Sequence, residues 1–392
     1  MPKFNPLVAR LSPPPIPSVA AWAQGYDGGL GPLLDLSQAV PGYPPHADML
    51  TWLGEAASST QAAGYGPIEG EMPLRTAYAA HVADLYGAPL TSRHIQITAG
   101  CNQAFVAAVI ALAEAGDTIL MTNPYYFNHE TTLSMLGINV DLVPCDAAGQ
   151  FVPDIESIEA SLHPRVRALA LVSPNNPTGA VYPADRLAEI FDLCRTKGIW
   201  LILDETYRDF LDDIAAPPHD IFSREGWQSH FVSLYSFSKS YCIPGHRLGA
   251  ITGGVQMIQQ IAKIMDNLQI CVPRAGQIAL VKAIPSLAEW RAENQREIGR
   301  RSAAMRAVME GLQGWKIESI GAYFAYIRHP YPDISAEFVA AKLAALAGVV
   351  CLPGDYFGEI QEGFLRFAFA NADVETIGLL RQRLEAFKLP GI

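Results

Sequence analysis

The sequence predicts an α/β fold: a large domain with a mostly parallel seven-stranded sheet flanked by helices, followed by a smaller α+β domain. Three observations carry that reading. Seven short apolar segments recur at 94–98 (HIQIT), 118–121 (TILM), 138–143 (INVDLV), 167–172 (RALALV), 200–204 (WLILD), 231–235 (FVSLY) and 248–253 (LGAITG). Helix-patterned stretches separate most of them, and this alternation is what a parallel sheet covered on both faces requires. After residue 275 the texture changes to one long helical region followed by two further strand-like segments.

Residues 1–35 are rich in Pro and Gly, and Pro13-Pro14-Pro15 excludes a continuous helix beyond Leu11. They read as an extended arm, counted with the small domain and lying over another surface, or as a loose tail. Residues 36–275 form the predicted large domain. Within it 74–87 is an amphipathic helix closed by Gly87, and 101–116 a helix running to its glycine. Further helices are expected near 128–136, 154–162 and 183–197. Residues 276–392 form the predicted small domain. Its helical region runs over 275–313, with strands at 321–328 and 364–370, a helix between them and another at 374–387.

A length of 392 residues suits two domains. Thirty-nine acidic against twenty-eight basic residues give a formal charge of −11, which argues against a nucleic-acid surface. No apolar run is long enough to span a bilayer, and MPKFNPLVARLSPPPIP lacks a signal peptide's apolar stretch and cleavage site. A cytoplasmic protein is expected. The six scattered cysteines form no CxxC pair and read as reduced thiols, and no metal is expected.

The chemistry concentrates at Ser236-Phe237-Ser238-Lys239, directly after the apolar strand FVSLY, and continues to Gly245-His246-Arg247-Leu248-Gly249. Burying an ammonium group is costly, so a lysine at the mouth of a sheet needs a purpose. Desolvation lowers the amine pKa and makes lysine a Schiff-base former and proton carrier. The hydroxyls of Ser236 and Ser238 and the Arg247 guanidinium suit a phosphate. This segment resembles the cofactor-lysine signature of the class I/II aminotransferases, the fold-type I enzymes dependent on pyridoxal 5'-phosphate (PLP).

Other segments match the same family in order. Asp204-Glu205-Thr206-Tyr207 resembles its D-E-x-Y element, where the aspartate pairs with the pyridine nitrogen and the tyrosine hydrogen-bonds the phenolic oxygen. A carboxylate there keeps the nitrogen protonated and the ring electron-accepting. Standing alone, Asp204 also reads as a helix N-cap. Asn175-Asn176-Pro177-Thr178-Gly179 matches N-P-T-G, which implies that Asn176 contacts the same oxygen; as a bare tetrapeptide it is a turn. Gly100, Cys101 and Asn102 begin a helix after a strand, a generic anion site that the family uses for the phosphate. Asn123-Pro124-Tyr125-Tyr126 resembles the turn bearing the stacking ring, assigned to Tyr126 with Tyr125 as the alternative. Tyr65, with Gly70, Leu74 and Arg75, is similar to the element whose tyrosine reaches the neighbouring subunit's phosphate, which implies a homodimer with shared active sites.

Arg366, inside the apolar segment FLRFAFA, needs an anionic partner, and the resemblance implies that this is the substrate α-carboxylate. Asn176 and the backbone near Ala39 are the other substrate contacts. The family's usual glycine is replaced by Ala39, which weakens that last assignment. Some aspartate-specific members carry lysine where this chain has Asn102, so an acidic donor is disfavoured. The resemblance implies ping-pong transamination between an L-amino acid and a 2-oxo acid, with Lys239, Asp204 and Tyr207 as the catalytic set. A C–S lyase or other lyase on the same scaffold is the alternative, and a PLP-sensing regulator a remote one.

Overall fold

A computed structural model describes residues 2–212 and 216–389. The seven predicted apolar segments do form one sheet. Its strands are β1 (Ile95–Thr98), β2 (Thr118–Asn123), β3 (Asn139–Pro144), β4 (Val166–Val172), β5 (Trp200–Asp204), β6 (Phe231–Ser236) and β7 (Gly249–Gly253), in the spatial order β1-β7-β6-β5-β4-β2-β3. Neighbours are parallel except β7, which runs against both β6 and β1. The central strands are buried along almost their whole length, which is why they read as apolar runs rather than as alternating patterns.

Three helices contribute to the walls of the site, α1 (Pro15–Trp22), α2 (Cys101–Leu112) and α3 (Phe127–Leu136), and two more, α4 (Arg274–Ser286) and α5 (Ala288–Met309), follow the large sheet in the chain. A second, antiparallel sheet joins β8 (Lys316–Gly321), β9 (Phe324–Arg328), β10 (Leu352–Pro353) and β11 (Phe364–Phe367) in the order β10-β11-β9-β8. The hydrophobic interior separates accordingly. One large cluster surrounds the seven-stranded sheet; another gathers Met305, Tyr323, Phe324 and Leu365 with Leu34 and Leu36 from the N-terminal side. A short parallel pairing of Leu34–Asp35 with Val349–Val350 ties the N-terminal segment to the last third of the chain.

Several elements differ from the sequence expectation. The arm is not extended throughout, because α1 begins within the proline run. Pro15 and Pro17 occupy its first turn, where backbone N–H groups have no intrahelical acceptor and their loss costs nothing. The helical region over 275–313 is two helices, parted at Leu287 just after Pro285. The segment 321–328 is half of a hairpin: β8 precedes it, and the chain turns at Ala322 with φ +46°. The strand expected at 364–370 stops at Phe367, and the helix at 374–387 breaks into Val374–Gly378 and Leu380–Ala386. The helix of 101–116 ends at Leu112. Two helices, Ala47–Ala57 and Val255–Leu268, were not anticipated, although the second carries a strong helical periodicity.

The turn after β4 also meets the small sheet. A Cβ at Gly179, whose φ is +74°, would lie 2.5 Å from both the Gly321 nitrogen and the Phe324 oxygen, so the backbones touch only because the side chain is absent. Gly179→Ala should therefore destabilise the protein by about 2–4 kcal/mol, from left-handed strain plus overpacking. A thermal or urea melt checks this, and an unchanged midpoint would show that the hairpin yields freely.

Candidate active site

In sheets of this kind ligands gather beyond the carboxyl ends of the parallel strands. Thr98, Val172, Asp204 and Ser236 end β1, β4, β5 and β6 at one edge, and β7 starts there at Gly249. The register sets these residues side by side: Gly249 pairs with both Thr98 and Ser236, and Val172 pairs with Asp204. A Cβ at Gly249 would lie 2.7 Å from the Gly100 carbonyl carbon and 2.9 Å from the Cys101 nitrogen. Glycine at this position lets the start of α2 settle onto the sheet.

Above this edge lies a cavity of about 460 Å³. Its lining includes Ala39, Cys101, Asn102, Tyr126, Asn176, Asp204, Tyr207, Ser236, Ser238, Lys239, Arg247 and Arg366. Thus nearly every residue singled out from the sequence converges on one space. Gly100 stands just behind it, and a Cβ there would collide with the Arg247 guanidinium. Tyr126 faces the cavity, whereas Tyr125 is not among its lining residues and its backbone N–H donates to Phe357 O at 2.7 Å. Tyr65 lies elsewhere, 81% exposed in the single chain.

Lys239 Nζ donates to the Ala39 carbonyl. Burial, reinforced by the nearby Arg247 and Arg366 charges, pushes its pKa down from 10.5 to about 8. Asp204 is 4% exposed. Burial favours its neutral form, but His129 and two hydrogen bonds from Thr206 outweigh this and hold its pKa below the usual value. His129 Nε2 lies 3.4 Å from Asp204 Oδ2, close for charge interaction though outside good hydrogen-bond geometry. Burial raises the Tyr207 phenol well above 10, so it remains a neutral donor. Arg366, pushed down by burial to about 10, is still cationic at neutrality. It donates to Asn176 Oδ1 at 2.9 Å and to the Ser37 carbonyl, between the rings of Phe324 and Phe357.

The buried polar atoms without hydrogen-bond partners here include Ser238 Oγ and Arg366 Nε, besides the His129 ring nitrogens. Such groups are costly unless a ligand satisfies them. Ser238 Oγ, Ser236, Arg247 and the amides opening α2 form a cup suited to a phosphate. Arg366, on the far side in β11, suits a carboxylate. His129, Thr206 and Val172 complete the walls around Asp204 but escaped the sequence reading. The available signal for His129 was its place one helical turn after Tyr126.

Comparison with known proteins agrees with this geometry. Residues 32–384 match the model of the class I and II aminotransferases. The chain is 30% identical over 345 residues to an aromatic aminotransferase of Arabidopsis thaliana, covering 86% of this chain and 85% of the relative. It is also 30% identical over 358 residues to a valine–pyruvate aminotransferase of Mycobacterium tuberculosis, covering 88% and 89%. A solved mutant of the Thermus thermophilus aspartate aminotransferase superposes with a TM-score of 0.89, at 25% identity over 98% of this chain and 99% of the other. The chain belongs to the class I and II aminotransferase family. It is an enzyme, an amino-acid transaminase, and neither the lyase nor the regulator alternative is favoured.

The depressed Lys239 pKa gives a measurable consequence in cofactor-free protein. Below about pH 8 the amine is protonated and inert; above it the free base dominates. Modification of Lys239 by a neutral acylating reagent, followed by peptide mass spectrometry, should be half-maximal near pH 8 and level off about one unit higher. Ordinary lysines should keep gaining reactivity to roughly pH 10.4. A Lys239 midpoint near 10 would contradict the geometry.

Proposed function

We propose that this aminotransferase works with PLP attached at Lys239, moving an amino group from an L-amino acid to a 2-oxo acid by a ping-pong mechanism. One observation carries the proposal: a pKa-depressed lysine, an ionised aspartate, an anion cup and a separate arginine share one cavity. PLP, when bound, supplies the electron sink for the pair released at the substrate Cα.

The chain's own residues supply the rest. Gly100, Cys101, Asn102, Ser236, Ser238 and Arg247 would hold the phosphate. Asp204 would keep the pyridine nitrogen protonated, its charge held in place by Thr206 and His129. Tyr207 and Asn176 would donate to the phenolic oxygen, and Tyr126 would lie against the ring. Arg366 would bind the substrate carboxylate, with Asn176 and the Ala39 backbone beside it, and so fix Cα near Lys239. Lys239 Nζ, with a pKa near neutrality, is then both the base that takes the Cα proton and the acid that returns it.

The working unit in this reading is a homodimer, in which Tyr65 completes the partner's phosphate site. Its 81% exposure and its distance from this chain's own cavity support that role. The six free cysteines support a cytoplasmic location. No helix among the described residues is long and apolar enough to cross a membrane. The separation of the two main hydrophobic clusters supports a large and a small domain, which this reading divides as an arm (1–35), a large domain (36–275) and a small domain (276–392); α4, just past the boundary, packs on the cluster of the large sheet.

Borohydride treatment of the loaded enzyme should fix the cofactor to Lys239, as read by peptide mass. Lys239→Ala should lose the visible band of attached cofactor, and retention of a covalent adduct would refute the assignment. Arg366→Ala should lower kcat/KM for amino acids by roughly 10²–10³-fold, through loss of a buried charge-assisted pair. A change below about threefold, well short of the tenfold that 1.4 kcal/mol represents, would remove Arg366 from the carboxylate site.

A further inference from the structure

The cavity has an outer half that the chemistry above leaves unused. Among the described residues lining it, the ionised side chains are Lys239, Arg247, Arg366 and Asp204. If the proposed function is right, as this inference assumes, all four are committed to cofactor, proton transfer or the α-carboxylate. What remains for the substrate side chain is Pro14, Pro15 and Ile16 at the start of α1, Val40, and Phe127 at the start of α3. Gln38 and Asn128 add uncharged polar edges, and the Asn128 amide is already donated to Tyr126 Oη at 2.8 Å.

This apolar lip is built and anchored. Val19 of α1 is fully buried against Ala344, Val350, Leu352 and Phe357, with Ile16 and Phe127 packed on the same cluster. The rings of Phe127 and Phe357 lie 5.5 Å apart. Phe357 in turn flanks the Arg366 guanidinium at 5.2 Å. The apolar wall therefore begins beside the carboxylate-binding arginine and extends outward to Ile16. A charged substrate side chain directed there would lose hydration without a countercharge from this chain, whereas an apolar one would gain burial.

The geometry points to a neutral, apolar amino acid as substrate, with Ile16 and Phe127 as the residues that determine specificity. The test uses full-length enzyme loaded with PLP. Unreactive carboxylates probe the site by calorimetry: 3-phenylpropanoate, 4-methylpentanoate, propanoate and pentanedioate. In parallel, loss of the cofactor band is followed with leucine, phenylalanine, aspartate, glutamate and lysine. The two larger apolar acids should bind at least roughly tenfold more tightly than propanoate, the scale on which an apolar pocket discriminates. Pentanedioate should gain nothing over propanoate, and leucine or phenylalanine should react fastest. Phe127→Ala and the milder Ile16→Ser should weaken 3-phenylpropanoate by several-fold more than propanoate. Equal losses for both probes would strip these residues of a specificity role. Tighter pentanedioate binding, or faster reaction of aspartate, glutamate or lysine, would overturn the substrate class while leaving transamination intact. No band change with any of the five amino acids would sink both.

Discussion

Three cationic side chains and one carboxylate share a single cavity, and the rest of the structure is organised around that imbalance. The Arg247 and Arg366 charges add to burial in depressing the readiness of Lys239 to carry charge, and Asp204 is the sole ionised counterweight among the described lining residues. Crowding of this kind is tolerable because each cation has a local acceptor. The Ala39, Pro244 and Ser37 carbonyls receive Lys239, Arg247 and Arg366, and aromatic rings flank the last. The remaining positive potential favours anionic ligands, one at the cup and one at Arg366.

Holding those charges requires both parts of the chain. Arg366 reaches across from β11 to Asn176, in the turn after β4, so the small sheet must dock on the large one for the site to exist. Beneath Asp204 the next residue, Glu205, is buried as well. Burial opposes its ionisation, but His219, Arg208 and Ser233 hold its pKa down to about 2. Tyr86 also donates to Glu205, so the segment after β5 is pinned by a charged network rather than by apolar packing alone. Leaving Arg208 in that network without Glu205 would strand a buried charge, so the pair holds the strand end where Asp204 needs to be.

Much of this was legible beforehand, for identifiable reasons. Lys239 and Arg366 stood out because charged residues in apolar surroundings have few bland explanations. The seven strands were legible because double-sided burial leaves unbroken apolar runs. The proline run misled because prolines that forbid a helix interior are harmless in a first turn, where α1 uses Pro15 and Pro17. β8 was missed because its residues are only partly buried, leaving a weak pattern beside the strong one of β9. His129 and Thr206 were missed because each is an ordinary residue in its local pattern. Their significance is a position relative to Asp204, which neither periodicity nor spacing reveals.

By itself the sequence determined which side chains are available for chemistry, and which short stretches become helix or strand, because periodicity and residue type act locally. Only the tertiary structure decided the distances among those side chains. Ser37, Asn176 and Arg366 meet across more than three hundred residues of chain through the docking of two sheets. The depressed Lys239 pKa and the apolar wall of Ile16 and Phe127 are likewise properties of packing. They depend on what is excluded from the cavity, and that is settled only when the whole chain has closed around it.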